Sequence, residues 1–316
     1  MSNLSVLNDL SSWPKFPSHD LFVMPVNSHV LNMKLTDTCI DCLLSRVVFE
    51  CDLASAGPAR TEETVAACRT MLEAMRGSSL LHPQIASAIH REACRMIGNP
   101  DPFRALKTVG NEQAMGVCRN VRGELTTFYD FVLASVIGNT FDYAVKDHDV
   151  TTDFSRFFND EFRKGLDIDD TTRILDRCSR VVYLTDNCGE IVFDRLLVGF
   201  LKARGSHVTV AVRDAPILND ATMEDALALG FDKVADCLTT TGGGAEIGLD
   251  MDKMPANLAK AMGKCTIIIS KGMANYESLS EYRNLPPVAY LMCVKCEMIA
   301  ENSGIARGSK IAMLRM

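Results

Sequence analysis

Near Ile174 the chain changes its hydrophobic rhythm. Beyond that point short β-branched runs appear in turn: RVVYLTD, HVTVAVRD, KVADCL, CTIIISKG and PVAYLMCVK. Segments of helical character, such as EIVFDRLLVGFLKARG, separate most of them. A run that is apolar at nearly every position must be covered on both faces, and strands joined through helices run parallel. The second half therefore predicts an α/β fold with a Rossmann-like, mainly parallel sheet.

From Thr36 to about Gly165 the pattern is helical instead. TDTCIDCLLSRVVFECDLASAG opens on a Thr36 or Asp37 cap and stops at Gly57-Pro58. TEETVAACRTMLEAMRG repeats the scheme, with Thr61 as cap and Gly77 at the end. No stretch here alternates with period two, so an N-terminal all-helical domain is expected. Residues 1–32 hold the only Trp and three prolines without helical period, and read as an arm or as a misassigned start before Met33. The expected division is 33–165 for the helical domain and 166–316 for an α/β domain that binds metal and phosphate.

Hydrophobic residues make up 47% of the 316 and charged residues 23%, which fits a folded rather than a disordered chain. A net charge of −7 argues against a general nucleic-acid binder but leaves a small anionic ligand open. No apolar run approaches membrane-spanning length, and MSNLSVLNDLSSWPKF lacks the basic start and apolar core of a signal peptide. The twelve cysteines are scattered, so reduced thiols in the cytoplasm are expected. Oligomeric state is left open.

In an open parallel sheet, ligands bind beyond the carboxyl ends of the strands. Polar residues collect at those ends: Asp186-Asn187 after the first strand and Arg213-Asp214 after the second, followed by Asn219-Asp220. SKGMANYE, with Lys271, Asn275 and Glu277, follows the fourth strand, and Lys295 follows the fifth. Asp186, Asn187 and Asp220 offer oxygen donors only, the set preferred by magnesium and manganese over zinc. Lys271 and Lys295 would neutralise a phosphate, and the amides after Asn187 add a helix dipole. Any one Asp-Asn pair after a strand is more often a helix cap; the case rests on four strand tips together. Glu190 reads as an acid favourable to the helix dipole. The glycines of TTTGGGAEIGLD fit a flexible loop as well as a ligand contact, and no GxGxxG, GxxxxGK[ST] or GxSxG motif occurs.

CIDC (Cys39, Cys42) and CVKC (Cys293, Cys296) have the spacing of a zinc or iron–sulfur site. The second pair lies in an expected strand, where alternation sends its cysteines to opposite faces. Cys39 and Cys42 can share a helix face and have lowered pKa values. Reduced structural thiols are the expectation, with Cys39 and Cys42 in the helical domain, away in sequence from the phosphate-handling residues.

TDNCGEIVFD, RDAPILNDAT, SKGMANYESL and VKCE, in this order, resemble the metal-dependent damage-control phosphatases. That family was long a domain of unknown function and includes proteins described as acidic-residue (protein-glutamate) methyltransferase-like. CIDC, DPFRALK and GNTFDYAV are similar to its CxxC-bearing, largely prokaryotic branch. The resemblance runs from about Lys34 to the C-terminus and implies an active site between a helical and an α/β domain. It implies Asp186, Asn187 and Asp220 as catalytic metal ligands, with Lys295 also catalytic. Arg213, Lys271, Gly272, Met273 and Asn275 would contact phosphate and substrate, and Asn139 and Asp142 would face the site. Where other branches end an Arg-Thr-x-Lys motif this chain reads MCVK, which leaves the substrate open.

The expected function is a cytoplasmic phosphatase using manganese, cobalt, nickel or magnesium. Its substrate would be a small phosphometabolite, either a sugar phosphate or a damaged cofactor or nucleotide precursor. Water is the favoured nucleophile, since a carboxylate bound to metal is less free to attack. Two rivals are a methyltransferase using a methyl-sulfonium nucleotide and a non-catalytic thiol-metal or redox protein.

Overall fold

The computed structural model describes residues 35–139 and 154–316. Helix α1 (Asp37–Leu53) starts where Thr36 Oγ1 accepts the Cys39 N–H at 3.2 Å. Pro58 opens α2 (Pro58–Met75), placing its missing N–H where no helical partner exists. Helix α3 (His82–Ile97) ends at Gly98, whose φ of +76° suits glycine. These three helices share a core around Leu43, Val47, Leu72 and Ile89. Ile217, Leu218 and Ile247, from loops of the second half, complete it. That packing seats α1–α3 over one edge of the sheet.

Helices α4 (Arg104–Val121), α5 (Phe128–Gly138) and α6 (Phe154–Lys164) follow. Thr127 caps α5, and Asp130 returns the bond to the Thr127 N–H at 2.8 Å. The remainder runs β1 (Ile168–Asp169), α7 (Thr171–Leu175), β2 (Arg180–Leu184), α8 (Glu190–Ala203), β3 (His207–Val212), α9 (Met223–Ala228) and β4 (Cys237–Thr240). Then come α10 (Ala256–Met262), β5 (Ile267–Lys271), α11 (Gly272–Leu279), β6 (Val288–Cys293), α12 (Glu297–Ser303) and β7 (Lys310–Arg315).

The seven strands lie in the order β1-β7-β6-β5-β2-β3-β4. All neighbours are parallel except β6 and β7. Val182 pairs with Thr209 on one side and Ile268 on the other. Alternation divides each strand between two cores. Val181, Tyr183, Val210 and Ile269 face α5 and α8, while Val182, Leu184 and Ile268 face α10 and α11. Helix α5, from the first half of the chain, thus covers the sheet directly through Phe128, Val132 and Val136.

The mainly parallel α/β sheet expected from the apolar runs is present. Two strands did not announce themselves. β1 has two residues, and β7 turns back antiparallel on β6 after the short α12. The chain leaves β2 for β3 on one side, while β5 pairs on the other. The loops after β2 and β5 consequently diverge and open a crevice at the carboxyl ends. Among the described residues no helix is long and apolar enough to cross a membrane.

Candidate active site

Two loops run together at this crevice. The Ala221 N–H donates to Asp186 O at 2.8 Å and the Cys188 N–H to Asn219 O at 2.8 Å. Asn187 and Asp220 pair between these bonds as an isolated antiparallel bridge. The loop after β3 is thereby zipped to the loop after β2, which sets Asp220 beside Asp186 and Asn187. Leu218 takes a φ of +47° to make that approach, an uncommon conformation for a branched side chain. The Gly189 N–H donates to Asn111 Oδ1 of α4 at 2.6 Å. The Cys188 and Gly189 amides, expected to face an anion, are thus both bound within the protein.

Arg213 lies behind the carboxylates with no exposed surface. Its Nε donates to Asp220 Oδ2 at 2.6 Å, and its Nη2 lies 3.5 Å from Asp186 Oδ1. Nη1 donates to Gly248 O at 2.6 Å and to Asn275 Oδ1 at 3.2 Å. Asn275 in turn ties the two central strands together, donating to Thr185 O at 3.0 Å and Lys271 O at 2.8 Å. The family resemblance implies Arg213 and Asn275 as substrate contacts; in the structure both are buried, Arg213 against the acid pair and Asn275 against Arg213.

Gly272 explains why Asp186 can lie where it does. Its φ is +73°, and a Cβ built there would collide with Oδ2 of Asp186. The carboxylate occupies the space a side chain would fill.

Lys271 turns away from the crevice. Its Nζ is 2.9 Å from Glu190 Oε1 and 2.9 Å from Asp194 Oδ1, and it donates to Ser135 O at 3.2 Å. Tyr183 and Ser135 each donate to Asp194 Oδ1 at 2.7 Å. Burial pushes the Glu190 carboxyl up to about 7 against the opposing pull of Lys271. Burial would lower Lys271, but Asp194 and Glu190 outweigh it and hold its pKa above the usual value. Glu190 is therefore part of a buried charge cluster rather than a mere dipole partner. The signal available in sequence was its i, i+4 spacing from Asp194 on α8.

Asn139, at the end of α5, connects this cluster to the acid pair. Its Nδ2 donates to Asp186 Oδ2 at 3.3 Å and also to Glu190. Its Oδ1 accepts the Cys293 N–H at 3.2 Å, and its backbone oxygen accepts from Lys295 Nζ. Asp142 lies outside the described residues.

Asp186, Asn187, Asp220, Met273 and Lys295 line one cavity of about 560 Å³. Its opposite wall carries Cys39, Cys42, Arg46 and His82, and Cys296 borders it as well. The first cysteine pair, far from the acids in sequence, thus shares their cavity; distance along the chain does not measure distance across this fold. Cys293 lies against a different hollow with Ile137 and Lys310, so the four thiols do not converge. A further hollow of about 700 Å³ at the α1–α2 turn is bordered by Asp52, Thr61 and Arg69, none of them a candidate residue.

Among the described residues no group of three His, Cys, Asp or Glu side chains is placed to hold a metal ion. Two carboxylates and an amide oxygen nevertheless suit a hard divalent cation, which takes one or two carboxylates and completes its shell with water and phosphate. The thiols and imidazole that border the same cavity are, among the described residues, not grouped to hold an ion.

Residues 35–311 match the model of the damage-control phosphatase ARMT1-like domain. A damage-control phosphatase of Archaeoglobus fulgidus is 39% identical over 89% of this chain and 99% of its own length. One from Pyrococcus horikoshii is 28% identical over 89% of this chain and 98% of its own. A crystal structure of a Pyrococcus horikoshii protein, titled as a member of the family once called domain of unknown function 89, superposes with a TM-score of 0.81. It is 25% identical and covers 89% of this chain and 99% of that one.

Proposed function

The chain belongs to the damage-control phosphatase family with the ARMT1-like domain, and we propose that it hydrolyses a small phosphometabolite with the help of a divalent cation. The phosphatase activity follows from membership; cation, substrate class and residue roles are this reading's own. The observation that carries it is the acid pair, Asp186 and Asp220, braced by buried Arg213 on the wall of a cavity that also presents Lys295.

Asp186, Asn187 and Asp220 would hold manganese, cobalt, nickel or magnesium through oxygen. A cation there polarises a phosphoryl group and helps activate the nucleophile, for which water is favoured. Arg213 and Asn275 keep the carboxylates aimed outward, and Gly272 leaves Asp186 its place. Asn139 steadies Asp186 from the other side. Lys271 holds Glu190 and Asp194, and so acts on the substrate only through Asn139. Lys295 donates to the Asn139 backbone oxygen on the cavity wall, and its ammonium is assigned to the phosphoryl oxygens. Met273 supplies apolar surface to the substrate, and accepts the Lys295 N–H through its sulfur at 3.3 Å.

The cavity volume suits a sugar phosphate or a cofactor or nucleotide precursor. We read 33–165 and 166–316 as the two parts whose junction forms it. Twelve cysteines, none in a disulfide, fit a reducing compartment, and we assign the cytoplasm.

The test is phosphate release by chelator-treated protein from sugar phosphates, nucleoside monophosphates and phosphorylated cofactor precursors, each with manganese, cobalt, nickel or magnesium. Cation-dependent release from at least one phosphomonoester, with no added nucleotide cofactor, is expected. Release indifferent to chelation would sink the cation assignment. Methyl transfer from a methyl-sulfonium nucleotide, with no release anywhere in the panel, would sink the hydrolase.

A further inference from the structure

The wall facing the acid pair carries a chemistry of its own. Cys39 lies in the first turn of α1, and the Thr36 hydroxyl donates to its sulfur at 3.1 Å. His82, the first residue of α3, borders the same cavity as Cys39. The Nδ1 of that ring is 3.3 Å from Glu277 Oε2 on α11. Both partners are largely shielded from water, with side chains 14% and 9% exposed. The sulfur of Met298 lies 3.4 Å from Cys39 Sγ. A carboxylate-paired imidazole thus shares the cavity with a thiol that accepts a hydroxyl hydrogen bond, surroundings that favour a nucleophilic sulfur.

The charges agree with the geometry. Burial pushes the Cys39 thiol up, yet the neighbouring His82 and Thr36 outweigh it and leave the pKa lowered. Burial opposes protonation of His82, but Glu277 and Cys39 carry its pKa up to about 10. Cys68, Cys94 and Cys178 show what burial does without such partners: each is pushed up to about 12. Three residues beyond Cys39, Cys42 borders the same cavity. Residues at i and i+3 of a helix have Cβ atoms about 5–6 Å apart. A disulfide needs about 4 Å, an approach that a first turn can make by a small adjustment.

We propose that Cys39 and Cys42 form a redox-active dithiol, with Cys39 as nucleophile and Cys42 as resolving thiol, that exchanges with small disulfides entering the cavity. The Cys39 thiolate attacks one sulfur of a low-molecular-weight disulfide RSSR, forming a mixed disulfide and expelling RS⁻. Cys42 loses its proton to that thiolate and attacks the Cys39 sulfur, expelling a second RS⁻. Two electrons pass from the dithiol to RSSR, which leaves as one RSH and one RS⁻. This activity is independent of phosphate hydrolysis.

Glutathione disulfide is the probe. Trypsin releases residues 35–46 as one peptide holding Cys39 and Cys42 and no other cysteine. After brief exposure of the full chain and acid quench, this peptide is expected to be lighter by two hydrogens. In Cys42→Ser the reaction should halt at a glutathione adduct on Cys39, formed about tenfold or more faster than adducts on Cys237 or Cys296. His82→Gln should slow Cys39 by a similar factor, and in Cys39→Ser Cys42 should react no faster than Cys237. Iodoacetamide labelling rates in the unmutated chain rank Cys39 against the other thiols even where a variant folds poorly. Equal rates for Cys39 and Cys237, an adduct appearing first on Cys42, or a Cys39–Cys296 disulfide would each overturn the assignment.

Discussion

Gly272 shows how narrowly a single position can be specified. Gly272→Ala places a methyl group where the Asp186 carboxylate sits and keeps a φ of +73° that alanine resists. Strain of this kind costs about 1–3 kcal/mol, so the melting temperature should fall. Calorimetric manganese titration should show weakened affinity as well, because Asp186 must move. An alanine variant that binds manganese like wild type would mean that Asp186 is not a ligand. Lys295→Met separates the other half of the site. Cation binding should persist while kcat/KM drops by about 10²-fold, the scale for one lost contact to developing charge. At this scale the acid pair and Lys295 were legible, because strand tips in a parallel sheet announce themselves. The partners of buried charges were not. Nothing in the order of residues says that Lys271 meets Glu190 and Asp194, or that His82 meets Glu277, since each pairing joins distant segments.

Among the elements, α5 has the most to hold together. It covers one sheet face with Phe128, Val132 and Val136, and it ends on Asn139, which reaches Asp186. Each buried apolar side chain of this size contributes about 1.5–3 kcal/mol. A fragment of residues 166–316 should therefore fail to fold alone, exposing Val181, Tyr183 and Ile269, and should bind a hydrophobic dye or aggregate. A soluble, cooperatively melting fragment would refute that. The apolar runs identified β2, β3, β5 and β6 because each is buried on both faces. β7 escaped because it ends the chain without a following helix, and β1 because two residues carry no period.

For the molecule as a whole, the buried titratable groups set a direction for stability against pH. Glu281 is pushed up to about 7 by burial, which outweighs Arg315. Unfolded, it would lose its proton near 4.5. Between those values only the folded state holds the proton, so stability falls as pH rises. His82 behaves likewise between its ordinary 6.5 and about 10. Urea denaturation of chelated protein should show highest stability near pH 5 and a decline through pH 9. Glu281→Gln should flatten the acid side of that decline and His82→Gln the alkaline side. Unchanged slopes in both variants would assign the decline to other groups.

Arg213, sealed between Asp186 and Asp220, also sets the charge that an arriving anion meets. Its guanidinium cancels one of two carboxylate charges, so the bare acid pair keeps a charge of about −1 and a divalent ion turns it to about +1. Lys295 on the same cavity brings the total to about neutral without the cation and about +2 with it. On the proposed reading the cation therefore strengthens the hold on a phosphate dianion, and inorganic phosphate is expected to bind more weakly to chelated protein.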